Sequence, residues 1–132
     1  ALVLPRLLDR LPDRTVMLAA GMTAPMVLAA LAAVELRWTA LLAGWVGIGL
    51  CYGAMITPMG RLLRRSAARD QRPGLFAAQF TLGHLAWLLT YPLAGWLATR
   101  HGIAAAFGVH GALGLAGALA AALLWRRADP RG

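Results

Sequence analysis

The sequence predicts an all-α polytopic membrane protein with four transmembrane helices. Three observations predict it. Apolar stretches at about residues 15–36, 38–59, 74–98 and 103–125 each approach the ~20 residues an α-helix needs to cross a ~30 Å hydrocarbon core. The basic residues, all arginine, crowd into alternate gaps: Arg6, Arg10 and Arg14 before the first stretch, Arg61, Arg64, Arg65, Arg69 and Arg72 between the second and third, and Arg126, Arg127 and Arg131 after the fourth. Only Arg37 and Arg100 lie on the other side. Finally, 60% hydrophobic residues and a mean hydropathy of +0.65 exceed what a soluble core of 132 residues requires.

Cytoplasmic loops retain the excess of arginine, so this asymmetry orients the chain. Residues 1–14 read as a cytoplasmic loop, 15–59 as a transmembrane hairpin and 60–73 as a basic cytoplasmic loop. Residues 74–125 read as a second hairpin and 126–132 as a cytoplasmic tail. The expected location is the cell (inner) membrane, with both ends of the segment cytoplasmic. The chain opens at Ala1 inside a charged loop, which leads us to expect a larger protein around it.

The net charge of +8 does not point to nucleic acid, because the arginines are sorted by topology rather than gathered on one reading face. Basic loops beside anionic inner-leaflet lipids gain roughly 1 kcal/mol per residue instead. Cys51 is the sole cysteine, so no internal disulfide or multi-cysteine metal site is available. No phosphate loop, nucleophile–base pair or metal-ligand spacing occurs. Neither an enzyme nor a cofactor is expected, and no signal-peptide pattern is present.

The elements follow in order. Pro5 and Pro12 punctuate the lead-in, and Thr15 is the expected N-cap of the first helix. Pro25, one turn after Gly21, predicts a kink that neighbouring helices accommodate. Glu35 and Arg37 mark a turn short enough to demand an antiparallel hairpin, and Trp38 opens the second helix at the interface. Gly49 and Gly53 form a small-xxx-small pair for close packing. Pro58 is expected to end this helix, with a short interfacial helix over 61–72 before Pro73 restarts the chain. The fourth helix, with Gly108, Gly111, Gly114 and Gly117 spaced in threes, reads as closely packed; His110 is its one ionisable residue within the apolar stretch. Trp38, Trp96 and Trp125 lie at helix ends, as belt anchors do.

The third helix carries the chemistry. Phe80, His84, Trp87 and Tyr91 fall on one helical stripe, and Gln79, Gly83, Ala86 and Thr90 on the adjacent one. The opposite face, Ala78, Leu82, Leu85, Leu89 and Leu93, is aliphatic. That segregation assigns leucine to lipid or a partner and the hydrogen-bonding groups to protein or a water-filled cavity. His84 lies about nine residues into the helix, ~13 Å deep at 1.5 Å per residue, where an ionisable side chain is a functional candidate. Histidine is the side chain best able to gain and lose a proton under physiological conditions, so this residue is a candidate for moving protons. Gln79, Trp87 and Tyr91 are candidates for a transport pathway, joined by Trp45 and Tyr52 seven residues apart on the second helix. For each of them interhelical packing is the competing role.

Two loop motifs resemble the major facilitator superfamily of transporters. The run Pro5 to Arg14 is similar to its cytoplasmic signature G-x-L-x-D-R-x-G-R-R through Leu7, Asp9, Arg10 and Arg14. Pro5 and Pro12 stand where that signature has glycines, and Asp13 where it has an arginine. Gly95 to Gly102 echoes the same pattern on the opposite face, with Thr99 in the aspartate position, as inverted three-helix repeats would place it. Thr90 to Gly95 resembles the P-x-x-G end of the family's penultimate helix. The resemblance implies that the four helices are the ninth to twelfth of a twelve-helix fold. It implies that the first and fourth are peripheral, and that the second and third line the central cavity. It also implies a conformational latch formed with Asp9, Arg10 and Arg14. The expected partners are the lipid bilayer, the remaining helices of the same transporter, a small-molecule substrate and protons.

Two other readings compete. A stand-alone transporter of the four-helix small multidrug resistance kind needs a buried glutamate in its first helix, and none lies between Thr15 and Val34. A non-transporting membrane subunit would use the glycine faces to pack against partners.

Overall fold

The computed structural model describes residues 11–128, with side chains through Trp125. Four helices occupy nearly all of them: α1 (Asp13–Ala33), α2 (Trp38–Ser66), α3 (Arg72–His101) and α4 (Ile103–Ala128). They run up and down through short links. The α1–α2 turn at 34–37 is closed by the Arg37 N–H donating to the Glu35 carbonyl at 2.8 Å. Between α3 and α4 a single residue suffices, Gly102, whose φ of +88° lies in a region that L side chains rarely adopt.

α1, α2 and α4 are each long and apolar enough to cross a membrane. α3 has 30 residues, but Gln79, Thr81, His84 and Thr90 interrupt its apolar run. Bilayer burial also explains the surface. Among the described residues the buried hydrophobic set is only Val16, Ala20, Leu31, Cys51, Leu97 and Ala106, while Leu82, Leu88 and Leu124 are about two-thirds exposed. Apolar surface on this scale fits lipid or further helices, not water.

Several boundaries differ from the sequence expectation. α1 begins at Asp13 with Pro12 at its N-cap, so Thr15 lies inside the helix. Proline is tolerated there, because no bond within the helix requires its missing N–H. Pro58 does not end α2; it is fully buried, and the helix runs on to Ser66. The separate interfacial helix over 61–72 is therefore replaced by a continuation of α2, which carries Arg61, Arg64 and Arg65 beyond the apolar stretch. Pro73 does sit in the first turn of α3, and Trp38 is the first residue of α2.

Packing is uneven. α1 lies along α4 most extensively, then along α2; α3 packs on α4 and scarcely meets α2. The α1–α4 seam is antiparallel and keeps one register over its whole length. Gly108 faces Ala32, Gly111 faces Ala29 and Pro25, Gly114 faces the Pro25 ring, and Gly21 faces Ala118. A Cβ on Gly111 would lie 3.0 Å from the Pro25 carbonyl oxygen and 3.2 Å from the Ala29 nitrogen. One on Gly114 would lie 2.9 Å from Pro25 Cγ. Pro25 bulges toward α4, and the two glycines are the socket that admits it.

This topology gathers Arg14, Arg61, Arg64, Arg65, Arg69 and Arg72 at one end of the bundle, with Arg37 and Arg100 at the other.

Candidate functional site

On α3 the 3.6-residue period brings Phe80, His84, Trp87 and Tyr91 into a continuous column of rings. Phe80 and His84 lie 3.8 Å apart between centroids, His84 and Trp87 4.8 Å, and Trp87 and Tyr91 6.2 Å with the last pair nearly parallel. His84 Nδ1 is 2.8 Å from the Phe80 carbonyl oxygen, one turn back. That contact fixes the ring against its own helix and leaves Nε2 toward the open side. The column is not packed away: Tyr91 is 67% exposed and Trp87 44%. A shallow groove runs along it, lined by α3 alone.

The neighbouring stripe behaves differently. Gln79, Gly83 and Thr90 are partly buried, Ala86 is exposed, and Leu97, further along α3, is buried. Two adjacent stripes that the sequence grouped together are thus separated by the fold into a half-packed side and an open side. Trp45 and Tyr52 do not join the α3 column by ring contact. Trp45 lines a cavity of about 590 Å³ between α1, α2 and α4, whose walls are almost wholly apolar. Tyr52 is exposed on α2.

His110 lies on this cavity and also reaches α3. Its Nδ1 is 2.9 Å from the Ala106 carbonyl oxygen and its Nε2 is 3.2 Å from that of Thr90. The sequence gives it little weight, because α4 is otherwise alanine, leucine and glycine and is expected to be peripheral.

At the arginine-rich end, Asp13 of α1 accepts from Arg61 of α2 at 2.8 Å and lies 3.5 Å from Arg65. The Asp13 carboxylate is mostly enclosed, with 12% of its side chain exposed. Of the three residues assigned to a latch, Asp9 and Arg10 lie outside the described residues. Arg14 places its guanidinium over the Trp125 ring at 5.9 Å, closing the α1–α4 seam. Asp13, which departs from the signature, is the residue that pairs. No group of histidine, cysteine or carboxylate residues able to hold a metal occurs among the described residues.

Compared with known proteins, the chain matches the Major Facilitator Superfamily over residues 1–132. No curated protein and no solved structure matches it.

Proposed function

The chain belongs to the major facilitator superfamily, and from that premise we propose that it is the C-terminal part of a secondary active transporter, its ninth to twelfth helices. The proposed activity is export of a small organic compound, driven by protons, by alternating access between the two membrane faces. Membership of this transporter family favours that reading over the small multidrug resistance kind and over a passive subunit. An enzymatic role has no support in the chain's residues.

The observation that carries the proposal is the open ring column of α3. A helix with lipid on all sides has no reason to stack Phe80, His84, Trp87 and Tyr91 on one face while keeping leucines on another. Such a face suits a pathway in which aromatic rings hold an organic substrate and the free His84 nitrogen exchanges a proton. Gln79, at its edge, and Trp45 and Tyr52 on α2 are the further pathway residues. The arginine-rich end faces the cytoplasm of the cell (inner) membrane, where Asp9, Arg10 and Arg14 form the latch.

The test is transport by the intact transporter in proteoliposomes with an imposed pH gradient. His84→Ala should leave the protein folded while removing the dependence of transport on the gradient. Unchanged gradient dependence would remove His84 from the pathway. Labelling of a cysteine placed at Arg64 from the outside of intact cells would overturn the orientation.

A further inference from the structure

His110 is held in a way His84 is not. His84 has one ring nitrogen on a carbonyl of its own helix; His110 has both nitrogens on carbonyl oxygens, one on its own helix and one on α3. A carbonyl oxygen only accepts. A neutral imidazole carries one N–H and one lone pair, so it satisfies one carbonyl and turns a lone pair toward the other. The imidazolium carries N–H at both positions and donates to both.

We propose that His110 is a proton-binding site that fastens α3 to α4. With the proton bound, Nδ1–H donates to Ala106 and Nε2–H donates to Thr90 across the helix interface. When the proton leaves for water, only one N–H remains. The Ala106 bond is internal to α4 and the shorter of the two, so the ring keeps it and the Thr90 bond is lost. No other covalent bond changes; the ring gains or loses one proton and one unit of charge.

Apolar surroundings oppose a charge on the ring, and the two carbonyl oxygens are what offset that cost. From α1 and α2 the cavity presents Pro25, Leu28, Trp45 and Ile48 among its apolar walls, and no other titratable side chain lines it. From α3 the partner is the Thr90 carbonyl, while Tyr91 beside it is exposed on the open column. No carboxylate faces the ring from any of these helices, so the two carbonyls are its acceptors. At the far end of α4 the Arg14 guanidinium lies over the ring of Trp125, itself a residue of the cavity wall. Two residues beyond Thr90, Pro92 takes an N–H out of the α3 ladder and allows the helix to bend there. The other side-chain hydrogen bonds of α3, at Arg72, His84, Thr90 and Thr99, stay within five residues. Among the described residues, His110 is therefore the hydrogen-bonded tie between α3 and another helix. Its loss would leave the part of α3 that carries the ring column held to α4 by packing alone, and so looser about Gly102.

The inference does not depend on export or on His84; a transporter driven otherwise would keep the same clamp. It is tested on the intact protein in lipid nanodiscs. Ring nitrogens of ¹⁵N-histidine protein are followed by NMR between about pH 8 and pH 5, the range in which histidine changes charge. His110 is identified by valine–histidine paired labelling of Val109 and His110. In parallel, spin labels at Phe76→Cys on α3 and Leu124→Cys on α4, with Cys51→Ala, report the separation of the two helices. Expected are two protonated ring nitrogens at low pH, one at high pH, and a shorter, narrower separation in acid. His110→Gln should abolish the pH dependence of that separation and His84→Gln should preserve it. The proposal is overturned if His110 never carries both protons in this range, or if His110→Gln keeps the pH-dependent separation. Should that variant fail to fold, the titration of the unsubstituted protein alone decides.

Discussion

The α1–α4 seam and the outer face of α3 are built by opposite means. In the seam, small residues let two backbones meet, and Pro25 fits a socket formed by Gly111 and Gly114. On α3, large rings stack on one another along a single helix, beside a groove lined by that helix alone. Lipid tails are as apolar as leucine, so hydrophobicity alone drives no association inside a bilayer; contact comes from shape. The closed region is therefore marked by what its residues lack, and the open region by what they carry.

The comparison is most directly broken in the seam. Gly111→Leu would drive side-chain atoms against the Pro25 carbonyl and the Ala29 nitrogen, which are backbone and cannot step aside. Overpacking of this sort costs about 1–3 kcal/mol, and separation of the helices costs more. Gly117→Leu, six residues along the same helix, meets nothing within 4 Å. The first should lower the thermal unfolding temperature in detergent by several degrees, and the second should not. Equal effects would show that α4 does not seat on α1 as described.

The open face sharpens the comparison from the other side. Trp87→Ala removes the ring that links His84 to Tyr91. If the column holds substrate, transport by the intact protein should fall about tenfold, equivalent to ~1.4 kcal/mol of lost interaction. The unfolding temperature should stay close to that of the parent, because little packing is lost. A variant that melts early yet transports normally would return Trp87 to the packing class.

How far the fold was legible follows from the same contrast. Helix number and order came from 20-residue apolar runs, the strongest signal a membrane chain offers. The end of α2 was misread because proline inside a bilayer helix is tolerated where neighbours cover it, and Pro58 is wholly covered. The ring column was legible from spacing, since stripe membership needs only the helical period. Which of two adjacent stripes packs on α4 was not, because that depends on the angle at which Gly102 turns the chain. His110 was hidden for the same reason: its meaning lies in the Thr90 carbonyl, a backbone atom 20 residues away. Asp13 was visible only as a departure from a signature, and its pairing needed the α1–α2 register.

The two ends of the α1–α2 hairpin supply the smallest expected effects. Both carry a carboxylate–arginine pair of nearly the same length, 2.8 Å for Asp13 and Arg61, 2.9 Å for Glu35 and Arg37. Length does not decide their worth; solvent does. The Glu35 and Arg37 side chains are 77% and 75% exposed and only two residues apart, so water screens the pair and little chain is constrained by it. The Asp13 carboxylate is enclosed, joins residues 48 apart, and serves two arginines. Asp13→Asn should cost about 1 kcal/mol, discounted for the partial exposure of Arg61. Glu35→Gln should leave unfolding indistinguishable from the parent. Raising the salt concentration should weaken the parent's stability little in either case, because the inner pair is shielded and the outer one contributes nothing to lose. If Glu35→Gln proves as damaging as Asp13→Asn, burial is not what distinguishes the ends, and the enclosure of Asp13 by α2 would have to be abandoned.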